Sequence, residues 1–238
     1  MLIWVSWSNY CNIDNSMLQS QIDHRQKRKR KLLNSPAVGN ETGALFLDRD
    51  GIIIHDKHYI SNPDNVEIHE GAIRLLEYAL RKKIPVVVIT NQSGISRGYL
   101  QWEDYEKVTD RMLSLLGEST ASIYGIYANG YMDTDRNGSW RKPQPEMLIS
   151  AAMDLNICLS KSILIGDRLS DLDCGANANL NTVIHILTGH GAKEKVDIDK
   201  RVVNQKFIGN DHTPIFKRYQ NLGELPLRLL NGCITGES

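Results

Sequence analysis

Two aspartates one residue apart, Asp48 and Asp50, stand where the apolar run Ala44-Leu45-Phe46-Leu47 meets Gly51. Successive strand residues point to opposite faces, so the two carboxylates share a side while the chain stays extended, and Gly51 lets the backbone turn away at once. Such a pair repels unless a cation or a shared proton relieves it, which suits a hard metal ion and a division of labour between nucleophile and acid/base. Taken alone, the pair also reads as a solvated strand end.

Three further stretches carry polar groups of the same kind at the ends of apolar runs. Val86-Val87-Val88-Ile89 ends in Thr90-Asn91-Gln92-Ser93-Gly94, where hydroxyl and backbone N–H groups can converge on an anion. Arg141-Lys142-Pro143 precedes a helical pattern, and Pro143 and Pro145 fix the entry so that Lys142 can neutralise phosphate oxygens. Ser162-Ile163-Leu164-Ile165 ends in Gly166-Asp167-Arg168-Leu169-Ser170-Asp171, whose acids could equally cap a helix. Together the four sets make a phosphoryl-transfer site. Asp48 would attack phosphorus, Asp50 would act as acid and base, and Thr90 and Lys142 would stabilise the transferring oxygens. Magnesium would sit on Asp48, the main-chain carbonyl of Asp50, Asp167 and waters.

The elements that must position these groups alternate strand, loop and helix from Ala44 onward, which predicts an α/β fold: a Rossmann-like parallel sheet with helices on both faces. Strands are expected over 44–48, 86–89, 123–128, 162–165 and 182–187. Helical stripes run through Ala72 to Leu80, Tyr105 to Leu116 and Met147 to Leu155. In such sheets ligands sit at the carboxyl ends of the strands, so Asp48, Thr90, Lys142 and Asp167 should meet in one cleft. Residues 190–205 read as a charged loop, 202–208 as a last short strand and 222–230 as a helix. No obvious inserted cap domain separates Gly51 from Thr90, or Thr90 from Lys142, so a minimal cap or none is expected.

The chain has 238 residues, with 28 basic and 28 acidic side chains, so it carries no general excess of charge for nucleic acid or anionic membrane. Its four cysteines form no CxxC pair, which leaves neither a zinc cluster nor a disulfide framework readable. No apolar run approaches the roughly 20 residues of a membrane span. A cytoplasmic location is expected. Residues 1–42 differ in texture and read as an appendage, partly helical from Met17 to Leu33 or disordered, ahead of a single domain over 43–238. Its run Arg25-Gln26-Lys27-Arg28-Lys29-Arg30-Lys31 is expected to be a solvated arm.

These four motifs resemble those of the haloacid dehalogenase superfamily of phosphohydrolases. Phe46 to Gly51, Thr90 to Gly98 and Arg141-Lys142-Pro143 are most similar to the branch holding D-glycero-D-manno-heptose 1,7-bisphosphate 7-phosphatase and histidinol-phosphate phosphatase. The likeness spans about residues 43–190. It implies that Asp56, Tyr59, Asn91, Gln92 and Ser93 line the substrate pocket, that Arg141 contacts the sugar phosphate, and that Arg168 lies beside the metal. It also implies a sugar phosphate as substrate, with histidinol phosphate or a polynucleotide 3'-phosphate as alternatives. Relatives of that branch usually carry a structural zinc before the Arg-Lys pair. The corresponding places here, Asn129-Gly130-Tyr131 and Gly138-Ser139-Trp140, hold no zinc ligand, so no zinc is expected. A monomer binding neither nucleic acid nor membrane is expected.

Overall fold

The computed structural model describes residues 21–23, 27–35, 42–132, 140–209 and 212–234. In chain order the strands and helices are β1 (Gln21–Asp23), β2 (Arg28–Leu32), β3 (Leu45–Leu47), α1 (Ala72–Arg81), β4 (Val86–Asn91), α2 (Gly94–Arg97), α3 (Trp102–Leu116) and β5 (Ile123–Asn129). The second half adds α4 (Glu146–Leu155), β6 (Ile163–Gly166), α5 (Leu169–Asn177), β7 (Thr182–Ile186), α6 (Gly191–Asp199), β8 (Val202–Val203), β9 (Lys206–Phe207), β10 (Ile215–Tyr219) and α7 (Leu229–Ile234).

Ten strands form one sheet in the order β1-β2-β5-β4-β3-β6-β7-β10-β9-β8. The six from β5 to β10 in that order are mutually parallel, and an antiparallel pair flanks them on each side. The central strands β3, β4 and β6 are apolar along their buried stretches because helices cover both faces, whereas β10, last of the parallel set, carries Lys217 and Arg218. Leu45, Leu47, Val86 and Val88 pack with α1 and α3 in one cluster, whereas Phe46, Val87, Ile89 and Leu164 pack with α4 in another. The chain runs from β3 outward to β4 and β5, then returns to place β6 on the other side of β3. Ligands bind at such a reversal, beyond the carboxyl ends, and Asp48 follows β3 there. Only a short flap with a 3-10 turn at Pro63–Asn65 lies between Gly51 and α1, so no cap domain is inserted. No helix among the described residues is long and apolar enough to cross a membrane.

Four sequence expectations need correction. The stretch read as partly helical, Met17 to Leu33, contains no helix among its described residues and two strands, β1 and β2; β2 pairs with β5, so residues 28–32 belong to the sheet rather than to an appendage. Residues 190–205 contain α6, hidden from the hydrophobic pattern because little of it beyond Gly191 and Ile198 is buried. The single strand expected at 202–208 is the hairpin of β8 and β9, turned at Asn204 and Gln205 with φ of +49° and +60°. Lastly, Pro226 interrupts the helix expected at 222–230, leaving a 3-10 turn at Leu222–Glu224 and then α7.

Candidate active site

Asp48 leaves the end of β3 with its N–H bonded to Ile165 O at 3.0 Å, which ties it to β6. Its Oδ1 accepts the N–H of Arg49 at 2.8 Å and lies 2.8 Å from Lys142 Nζ. Lys142 is itself buried. Its ammonium also lies 2.7 Å from Asp171 Oδ1 and donates to Ile89 O at 3.1 Å, so it is held between two carboxylates and a main-chain carbonyl. Burial works against that charge, but Asp171 and Asp48 outweigh it and hold the lysine's pKa above its ordinary value. The Asn91 side chain clamps the lysine's backbone, donating Nδ2–H to Lys142 O at 3.2 Å and accepting Lys142 N–H at 3.1 Å. Asn91, expected to touch substrate, thus also fixes the lysine.

Asp167 follows β6 and is fully buried. Its Oδ2 accepts the N–H of His190 at 2.6 Å, while Oδ1 is buried with no hydrogen-bond partner among the described residues. Burial, then the charges of Asp48 and Asp171, lift its carboxyl far above the usual range; burial likewise raises Asp48, against the pull of Lys142. One oxygen from each of Asp48, Asp167 and Asp171 lies within 4.8 Å of the others. This all-oxygen set has more negative charge and more lone pairs than Lys142 satisfies, which suits a magnesium ion. Asp171 is the group the sequence site left out. Its Oδ2 accepts Arg168 N–H at 3.0 Å, so it is committed to α5 and to Lys142. Gly51 is required at its place: with φ of +85°, a Cβ there would come within 2.6 Å of Asp167 Oδ2.

Asp50 is turned onto donors. Arg49, only 1% exposed, grips both its oxygens at 2.9–3.2 Å, Gln92 Nε2 donates at 2.8 Å, and Thr90 Oγ1 stands at 3.4 Å. Arg49 in turn lies against the ring of Tyr105, 5.2 Å from its centroid.

A cavity of about 330 Å³ opens over these groups, lined by Asp48, Asp50 and Lys142 at the bottom and by Asp56, Tyr59, Asn91, Gln92, Ser93, Arg141 and Arg168 around them. Thr90 is fully buried and Asp167 lies beneath the floor. The structure therefore brings every expected site residue to one place. It adds His58, Arg97, Ser170 and His190 to the lining. His190 Nε2 is 3.0 Å from Asp56 Oδ2, and Arg168 is 3.7 Å from the same oxygen. The rule that found the others would have found His190, which follows β7 at its carboxyl end. Of the two places expected to lack zinc ligands, Asn129-Gly130-Tyr131 is described; Gly138-Ser139 lies outside the described residues.

Comparison with known proteins agrees with this geometry. The HAD-hydrolase-like family model matches residues 139–211. The D-glycero-beta-D-manno-heptose-1,7-bisphosphate 7-phosphatase of Helicobacter pylori is 41% identical over 142 residues, 59% of this chain and 82% of that protein. The D-glycero-alpha-D-manno-heptose-1,7-bisphosphate 7-phosphatase of Campylobacter jejuni is 35% identical over 170 residues, 71% of this chain and 95% of that one. The crystal structure of D,D-heptose 1,7-bisphosphate phosphatase from B. bronchiseptica, complexed with magnesium and phosphate, shares the fold with a TM-score of 0.65 at 22% identity, covering 79% of this chain and 98% of its own. With the sheet, the strand-end carboxylates and relatives of this identity in agreement, the chain belongs to the haloacid dehalogenase-like phosphatases, hydrolases of phosphoric monoesters.

Proposed function

We propose that the chain is a magnesium-dependent phosphatase that removes the 7-phosphate of D-glycero-D-manno-heptose 1,7-bisphosphate through an aspartyl-phosphate, in cytoplasmic synthesis of nucleotide-activated heptose. The observation that carries this reading is Asp48: a buried carboxylate at the sheet's reversal point, fixed by an equally buried lysine and facing a polar cavity. The substrate is inferred from the names of the relatives, which differ in anomer.

In this reading Asp48 attacks phosphorus in line, and Lys142, held between Asp48, Asp171 and Ile89 O, stabilises the charge on the transferring oxygens without having to reorganise. Asp48, Asp167 and the main-chain carbonyl of Asp50 would hold magnesium, which when bound supplies charge neutralisation for the phosphoryl group. Asp50 protonates the departing sugar oxygen and later takes a proton from the hydrolytic water. That duty requires its side chain to turn from Arg49 toward the cavity, with Gln92 and Thr90 as the donors it leaves. Arg141, at the rim, takes the phosphate that does not react.

The test is phosphate release from both anomers of the heptose bisphosphate, compared with a panel of sugar monophosphates and histidinol phosphate. We expect the heptose bisphosphate to give the highest kcat/KM, and Asp48→Asn to lower kcat by at least about 1000-fold. Faster release from another member of the panel would overturn the substrate, and turnover surviving in Asp48→Asn would overturn the mechanism.

A further inference from the structure

One basic strand holds both segments that flank Arg141. Arg28 pairs with Asn129 at the end of β5, and the next N–H along, that of Gly130, donates to Lys27 O at 2.8 Å. The ammonium of Lys27 lies 5.9 Å from the centroid of the Tyr131 ring. On the other side of the loop, the guanidinium of Arg28 lies 5.4 Å from the centroid of Trp140, the residue before Arg141. Its Nε is buried without a hydrogen-bond partner among the described residues, and the guanidinium is set over the indole as a cation–π pair. Tyr131 O, in turn, accepts from the Arg141 guanidinium at 3.5 Å, and Arg141 lines the cavity. Gly130 is closely packed: a Cβ there would stand 3.0 Å from Trp102 and 3.1 Å from Lys27 O.

We propose that Lys27 and Arg28 are positioning residues: through Gly130-Tyr131 and Trp140 they fix the Arg141 guanidinium at the cavity rim, and so set affinity for a substrate with a second anionic group. The basic run is then part of the specificity apparatus although neither residue reaches the cavity. Arg28 meets the indole with a broad, weakly hydrated guanidinium, so lysine in its place is expected to keep the charge and lose the function.

The ligand readout rests on the sugar bisphosphate reading; amide exchange does not. The experiment compares wild type, Arg28→Ala, Arg28→Lys and Trp140→Leu. It measures steady-state kinetics with heptose 1,7-bisphosphate and with p-nitrophenyl phosphate, which has no second anion, and hydrogen exchange at residues 129–132. Each variant is expected to raise KM for the bisphosphate about fivefold, to leave its kcat and the kcat/KM for p-nitrophenyl phosphate within about twofold, and to speed exchange of the Gly130 amide about tenfold. Trp140→Leu reaches the same contact from the loop, in case Arg28→Ala fails to fold. Unchanged exchange in the folded variants, an equal loss with both substrates, or wild-type behaviour of Arg28→Lys would overturn the proposal. If wild type does not turn over the bisphosphate, the substrate reading fails while exchange at Gly130 still decides the role of the strand.

Discussion

At the scale of single residues, the site separates two aspartates of identical chemistry by what surrounds them. Asp48 is set against an ammonium and two further carboxylates, whereas Asp50 is surrounded by donors of Arg49, Gln92 and Thr90. The first arrangement suits a nucleophile that shares a cation, the second a group that trades protons with a leaving oxygen. Asp50→Asn is therefore expected to slow hydrolysis of a sugar phosphate by about 100-fold or more, and to slow p-nitrophenyl phosphate far less, because p-nitrophenolate departs without a proton. Equal losses on the two substrates would remove the acid role. Such acids at strand ends are legible in the sequence, because strand periodicity and the carboxyl-end rule together place them. Asp171 is harder to assign: its carboxylate is spent on Lys142 and on the first turn of α5, and only the fold brings that lysine to it.

At the scale of elements, β2 shows why a run of like charges can mislead. Its side chains alternate between two acidic helices. Lys29 and Lys31 pair with Glu106 and Asp110 of α3, while Arg30 grips Asp154 of α4, whose Oδ2 also accepts the Tyr127 hydroxyl. A solvated arm would need no such partners. Burial, the largest influence, lowers the Lys29 pKa to about 8, which marks how far this strand is drawn into the domain. Removal of residues 1–33 should expose the edge of β5 together with these stranded acids. We expect a lower melting temperature and concentration-dependent aggregation, measured by scanning calorimetry and light scattering; unchanged melting would show that the strand adds nothing to the sheet. None of this is legible in the sequence, since the partners lie far along the chain from a segment with no apolar pattern. The same absence of pattern hides α6. The central parallel strands β4 and β6, by contrast, are legible because burial on both faces leaves a run of Val, Ile and Leu, whereas the parallel strand β10, Ile-Phe-Lys-Arg-Tyr, has no such run and escapes the sequence reading.

At the scale of the whole molecule, stability against acid should carry the imprint of two histidines. Burial, reinforced by His55 stacked 3.8 Å away, lowers the His69 pKa to about 4, and burial with the nearby charge of Arg218 does the same to His185. Between about pH 6.5 and 4 the unfolded chain binds protons at these sites that the folded chain refuses, so their effect is a loss of stability as pH falls through that window. The raised carboxylates Asp48 and Asp167 act with the opposite sign in metal-free protein, so the net curve mixes both. A difference isolates the histidine: the melting temperature of wild type minus that of His69→Gln should decline as pH drops from about 6.5 to 4. A flat difference would show that His69 titrates normally. Finally, the pairing of Arg28 with Asn129 has a temporal side. During synthesis β2 must wait about a hundred residues for its partner, while β3 and β4 assemble in between, and a loop closure of that length is slow. The positively charged segment is thus the last piece of that side of the sheet to find its place, and arrival of its acidic helices, rather than its own synthesis, sets when that side of the sheet closes.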